Sequence, residues 1–280
     1  MALPSSLADF LRRHDRDRYL CALFAPANRR AAVIALYAFN YEIAKTREVV
    51  SEPLLGRIRL QWWREAIEAA YASGTVRAHE VMTPLAAAIR EHRLSRAHFD
   101  AMLDAREFDL VNEPPASLAA LEDYCAATAG RLQCLVLEVL DATRDEASEA
   151  AREVGIAYAL VGLIRAIPYH ARMRRRFIPA EIATEVGLDL GALFELKPPP
   201  ALAVAVERMA GRARYHLASA RSRRRRLPRA ALPALLPARV ASGYLGDIEA
   251  VGHNVFDPRL PPTSARTVLR LAWGALMRRY

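Results

Sequence analysis

The sequence predicts an all-α protein. Ala, Leu, Arg and Glu, all strong helix formers, dominate the composition. No run of alternating β-branched residues bounded by turn residues occurs, so strands have no template. Prolines stand as punctuation between long helix-compatible segments, at Pro114-Pro115, Pro168 and Pro198 to Pro200.

Each segment can be justified in turn. Ala31 to Val50 carries apolar residues on almost every face, as expected of a helix buried inside a bundle. Ile58 to Tyr71 is amphipathic and holds Trp62 and Trp63. Val81 to His92 and Arg96 to Val111 read as two further helices. Pro114 and Pro115 stop the chain, and Ser117 with Glu122 nearby marks a new start. Leu118 to Leu140 follows, then Ala147 to Ile167. Pro168 ends that helix, because the residue before a proline is disfavoured in the helical region. Arg172 to Pro179 reads as a loop, with Pro179 opening a short helix around Ile182. Leu196 to Pro200 is a connection too short to link domains. Ala201 to Ser222 and Leu232 to Ala250 are helical, Asp257 to Pro262 is a loop, and Arg266 to Tyr280 is a basic amphipathic last helix. No internal repeat appears, so residues 1–280 read as one domain of many helices around a central space.

Composition narrows the function classes. Apolar residues make up 53% of the chain, which removes intrinsic disorder as the default. Cys21, Cys125 and Cys134 form no C-x-x-C, so a disulfide framework or zinc site is not expected, and a reducing compartment fits. The N-terminus lacks a basic region followed by an apolar one, so no signal peptide is expected. The longest apolar run, Val154 to Ile164, falls far short of the roughly 20 residues that span a bilayer. A net charge of +9 lies largely in Arg172 to Arg176, Arg221 to Arg229 and Arg278-Arg279. Such runs suit an anionic lipid or acidic protein, or simply a solvated basic face. They contain no interleaved aromatics, so nucleic acid is not expected as a partner.

Three segments in order carry a resemblance. They are Tyr37-Ala-Phe-Asn-Tyr-Glu-Ile-Ala-Lys-Thr-Arg-Glu48 with Leu60-Gln-Trp-Trp-Arg-Glu65, then Tyr124-Cys-Ala-Ala-Thr-Ala-Gly130, then Gly155 to Ala166 running through His170 to Pro179. Together they resemble the squalene/phytoene synthase family. The resemblance implies the isoprenoid-synthase-like helical bundle around a central cavity. It also implies joining of two isoprenoid diphosphates head to head, with magnesium held by carboxylates at i and i+4 on two facing helices.

The sequence departs from that pattern at the metal. The first acidic motif falls on Ala44-Lys-Thr-Arg-Glu48 and the second on Ala166-Ile-Pro-Tyr-His170. Of the motif positions Ala44, Glu48, Ala166 and His170, only Glu48 is a carboxylate, and Lys45 and Arg47 would repel a dication. Magnesium is expected only if the chain is nonetheless an active prenyltransferase. Tyr37, Tyr124, Arg165 and Arg175 stand where the resemblance implies diphosphate-binding side chains. For the tyrosines, core packing with a bonded hydroxyl is the competing reading. For the arginines it is a salt bridge to Asp109 or Glu107. Glu48 and Glu52 are expected to be solvated, and His170 to be a hydrogen-bonded structural histidine.

The block Arg165-Ala-Ile-Pro-Tyr-His170, with Ala38-Phe-Asn40, Glu42, Ser51-Glu52, Arg59-Leu-Gln61 and Trp63, resembles a narrower group. It is the phytoene-synthase-like branch that includes a mitochondrial assembly factor for respiratory complex I. That resemblance implies a non-catalytic assembly protein, with complex I subunits or assembly intermediates as partners. An isoprenoid or lipid is a possible occupant of the cavity. The expected location is cytoplasmic, peripheral at the inner face of the membrane, or the matrix in a eukaryote. The last helix is expected to dock on the bundle, with contact to an anionic leaflet as the competing reading. An active head-to-head prenyltransferase is the competing function.

Overall fold

The computed structural model describes residues 5–72, 76–260, 265–277 and 280. The described residues contain helices and turns and no strand.

The chain opens with α1 (Ser5–His14) and α2 (Arg16–Ala22), two helices in a stretch that reads in the sequence only as a charged run. Asp15 makes the break between them. Its carboxylate accepts from the Arg18 backbone N–H and caps α2. α3 (Ala27–Ala44) is buried without interruption from Ala32 to Asn40, in agreement with its apolar faces. It tightens into a 3₁₀ turn over Lys45–Glu48, so the helix expected to reach Val50 stops earlier. α4 (Pro53–Tyr71) starts on a proline, where the missing N–H costs nothing.

α5 (Met82–His92) and α6 (Arg96–Ala105) follow. A second 3₁₀ turn, Arg106–Leu110, takes the place of the expected last turn of α6. Ser117 caps α7 (Leu118–Cys125) through the Ala120 N–H. A π turn at Ala126–Gly130 then joins α7 to α8 (Arg131–Val139), where the sequence suggests one regular helix.

The π turn has a packing partner. α9 (Asp145–Arg165) crosses it at Gly155, where an added Cβ would lie 2.4 Å from the Ala129 carbonyl oxygen. α9 is the central helix, packed by α8, the π turn, α13 (Pro200–Ser222) and α15 (Pro237–Ala250).

α9 ends at Arg165, before the expected Ile167. Ala166 is the hinge, and Pro168 lies in the first turn of α10 (Ile167–Arg172) rather than inside a helix. The loop expected before Pro179 is present. Then come α11 (Ala180–Glu185), α12 (Leu190–Phe194), and α14 (Leu232–Leu235) ahead of α15. No helix among the described residues is long and apolar enough to cross a membrane.

The last helix, α16 (Ala265–Leu276), packs on α15 and α2. Thr267 and Leu271 are buried there, while Leu269, Trp273 and Met277 point outward. The apolar residues expected on one side are therefore split between two. Arg278 and Arg279 lie outside the described residues, as does the Arg266 side chain.

Candidate functional site

The ends of α3 and α9 meet. The Tyr169 hydroxyl, at the start of α10, lies beside the Glu48 carboxylate beyond the end of α3. The positions 44/48 and 166/170 thus face each other at one mouth of the bundle, as the order of motifs implies. Burial pushes the Glu48 carboxyl above its ordinary value. Arg175 opposes that, Asp109 adds to it, and Lys45 opposes it more weakly.

Magnesium does not fit the residues at this mouth. Ala44, Ala166 and His170 supply no carboxylate, and Glu48 is engaged by Tyr169 under the field of two cations. Lys45 is held in place by Glu42, 2.5 Å away, and its ammonium lies 5.0 Å from the Tyr41 ring centroid. Among the described residues, no three His, Cys, Asp or Glu side chains converge as a metal site.

Beneath the mouth lies a closed polar triangle. Arg106 Nη1 donates to Asp109 Oδ2 at 3.1 Å and to the Tyr124 hydroxyl at 2.6 Å, and Tyr124 donates to Asp109 Oδ1 at 2.8 Å. Asp109 is buried, and burial drives the Tyr124 hydroxyl well above its ordinary range. The expected link from Arg175 to Asp109 exists, but through the backbone: Arg175 Nη2 donates to the Asp109 carbonyl at 2.7 Å. Glu107 pairs with Arg64, not with Arg165 or Arg175.

Arg165 instead stacks on Tyr244, 3.5 Å from the ring centroid, and Tyr244 donates to the buried Asp17 at 2.6 Å. Tyr37 is fully buried and donates to Gln133 Oε1 at 3.4 Å. Both tyrosine hydroxyls are thus hydrogen-bonded within the protein.

His170 departs from expectation. Its Nδ1 is buried with no hydrogen-bond partner among the described residues, and the ring packs 4.8 Å from Phe177. Burial, helped by Arg175, pulls its pKa down to about 4. Glu48 and Glu52 are both exposed, as expected.

Between α3 and α9 the interior is not the apolar space that the sequence suggests. The Arg18 guanidinium sits there, 4.6 Å from the Tyr158 ring centroid and 5.9 Å from that of Tyr37, paired to Asp15 at 2.7 Å. Arg18 Nε and Arg106 Nε are both buried without a hydrogen-bond partner among the described residues. An apolar chain placed here would offer these buried guanidinium groups no acceptor, which is unfavourable. Arg18, Asp15, Tyr158 and Arg106 are site residues that the sequence reading passes over. The only local signals are the i, i+3 spacings Asp15–Arg18 and Arg106–Asp109, common on any solvated helix.

Residues 11–267 match the model of the squalene/phytoene synthase family. The chain belongs to the squalene/phytoene synthase family. Within it, the chain is 32% identical over 272 residues to "NADH dehydrogenase (ubiquinone) complex I, assembly factor 6" of Mus musculus, covering 97% of this chain and 81% of that protein. It is 26% identical over 202 residues to presqualene diphosphate synthase of Sinorhizobium fredii, covering 71% of each. A crystal structure of a dehydrosqualene synthase in complex with ligand superposes with a TM-score of 0.84 at 19% identity, covering 98% of this chain and 95% of that one. The fold is thus that of this family's synthases, with the mouth rebuilt as described.

Proposed function

We propose that this member of the squalene/phytoene synthase family acts without prenyl-transfer chemistry, in the assembly of respiratory complex I. The observation that carries the reading is the mouth itself. One engaged carboxylate, beside Lys45 and Arg175, stands where two facing acidic motifs would be needed. The likeness to assembly factor 6 over 97% of the chain points the same way. A complex I subunit or assembly intermediate is then the partner, met at the inner face of the energy-conserving membrane.

The interior contributes rigidity to this role. A triangle of Arg106, Asp109 and Tyr124 and a second cluster around Arg18 give the interior fixed polar structure. A polar occupant suits that interior better than an isoprenoid. The test is genetic and biochemical. Deletion of the gene in the organism that encodes it should lower NADH:quinone oxidoreductase activity and deplete the mature complex on native gels. The intact gene should restore both. Normal complex in the deletion strain would end the assembly reading.

A further inference from the structure

The mouth end of the bundle carries exposed apolar side chains that the interior does not use. Four segments meet there. The 3₁₀ turn after α3 ends at the exposed Val49, and α4 begins beside it with Leu54 61% and Ile58 58% exposed. The opposite side of that first α4 turn is closed. Gly56 lies so near the 106–110 turn that a Cβ would stand 2.4 Å from Leu110 Cδ2. Exposed Val111 follows that turn. α10 and the loop after it complete the end, tied in by Tyr169 to Glu48 and by Arg175 to the Asp109 carbonyl, and they add Met173, 56% exposed.

Cations alternate with these apolar residues along the chain. Arg57 stands between Leu55 and Ile58, and Met173 stands between Arg172 and Arg174. Arg57, Arg172 and Arg174 are exposed and form no salt bridge among the described residues. Counting Arg47, Arg175 and Arg176, six arginines share this end with three carboxylates not already held by a guanidinium, Glu48, Glu52 and Glu113.

A protein interface concentrates apolar side chains and excludes charge from its core. Interleaved aliphatic tips and guanidiniums free of salt bridges, Arg174 lying 6.0 Å from the Phe194 ring centroid, suit a bilayer surface, where the first enter the acyl boundary and the second stay at the phosphates. We propose that the mouth end seats on an anionic lipid surface, with Leu54, Ile58 and Met173 in the acyl boundary and Arg57, Arg172 and Arg174 at the phosphates.

α16 is the rival surface and serves as the control. Its outward face shows Leu269, Trp273 and Met277. Its described guanidinium, Arg270, turns inward, 3.7 Å from Asp247 and across Gly243, so the outward face lacks a described cation of its own.

The experiment uses the full chain and vesicles of phosphatidylcholine with or without phosphatidylserine, read by co-sedimentation. The wild type should bind the phosphatidylserine vesicles at low salt and release at high salt. L54S/I58S and, separately, R57Q/R172Q/R174Q should weaken binding by at least about tenfold, since each interfacial basic residue contributes on the order of fivefold. L269S/W273S should bind as the wild type does. As a reading that does not depend on how these variants fold, an environment-sensitive fluorophore on Met173→Cys should shift to the blue on phosphatidylserine vesicles only. The proposal is overturned if the wild type does not bind, if the mouth variants bind normally, if the α16 variant alone loses binding, or if the fluorophore does not shift. None of these readouts involves complex I, so the assembly reading stands or falls separately.

Discussion

The Tyr169 hydroxyl lies beside the Glu48 carboxylate, and this brings the end of α3 to the start of α10, where this family's synthases are expected to place facing carboxylates. A phenol thereby stands beside the remaining acid at a mouth where a metal-bridged diphosphate would have to sit. With Lys45 and Arg175 acting on the same carboxylate, the mouth is electrostatically closed to a dication.

The first prediction follows from that closure. Purified protein given farnesyl or geranylgeranyl diphosphate with magnesium should release no diphosphate above background. Robust release that a chelator abolishes would restore the prenyltransferase reading.

The Arg106–Asp109–Tyr124 triangle should be unequal in its parts. Asp109→Ala leaves a buried guanidinium without its carboxylate and should cost on the order of 3–5 kcal/mol. Tyr124→Phe removes one hydroxyl from the same triangle and should cost about 1–2 kcal/mol. Replacing Arg106 and Asp109 together by Leu should cost less than Asp109→Ala alone, because no unpaired charge is left. Urea denaturation midpoints of the three variants test the order.

Acid should act partly through His170. Its folded pKa lies near 4, below the ordinary histidine value, so the fold favours the neutral ring. The unfolded chain binds that proton first as pH falls. Stability from this group is therefore full above about pH 6.5 and is lost progressively as pH drops toward 4. His170→Gln should shrink the difference in urea midpoint between neutral and mildly acidic buffer. An unchanged difference would show that His170 does not contribute. The remaining acid sensitivity then belongs to other groups, including His79, His92 and His98, whose pKa values burial also lowers.

Two glycines of α9 should respond in opposite directions to alanine. At Gly155 a Cβ would meet the backbone of Ala129 and Gly130 at 2.4–2.6 Å, so Gly155→Ala should destabilise by roughly 1–3 kcal/mol as α9 and the π turn are forced apart. At Gly162 nothing lies within 4 Å, and Gly162→Ala should stabilise by about 0.5–1 kcal/mol through helix propensity. Thermal melts of both variants decide. Equal and small effects would mean that the π turn can move away at little cost.

How much of this was legible in the chain depends on the kind of residue. The helices over α3, α4, α5, α9 and α13 follow from their apolar and helix-forming residues, and their observed bounds differ by a turn or less at most ends. The misses at Val50, Val111 and Ile167 are alike. Propensity continues a helix wherever good formers continue, but 3₁₀ turns at Lys45–Glu48 and Arg106–Leu110 and the break at Ala166 before Pro168 end the regular helices sooner. α1 and α2 were hidden because a charged segment reads as a solvated one.

The all-α class, the family, and the absence of acids at Ala44, Ala166 and His170 are properties of residues in order and can be read from the chain alone. What stands in place of those acids is set by the folded molecule. Asp15–Arg18 and Arg106–Asp109 have the spacing of ordinary surface pairs, and nothing local says that they are buried. They become a polar interior because Tyr37, Tyr158 and Tyr124, distant in sequence, fold around them. The free energy of an ion pair is set by the solvent it loses and the partners it meets, and both belong to the whole fold.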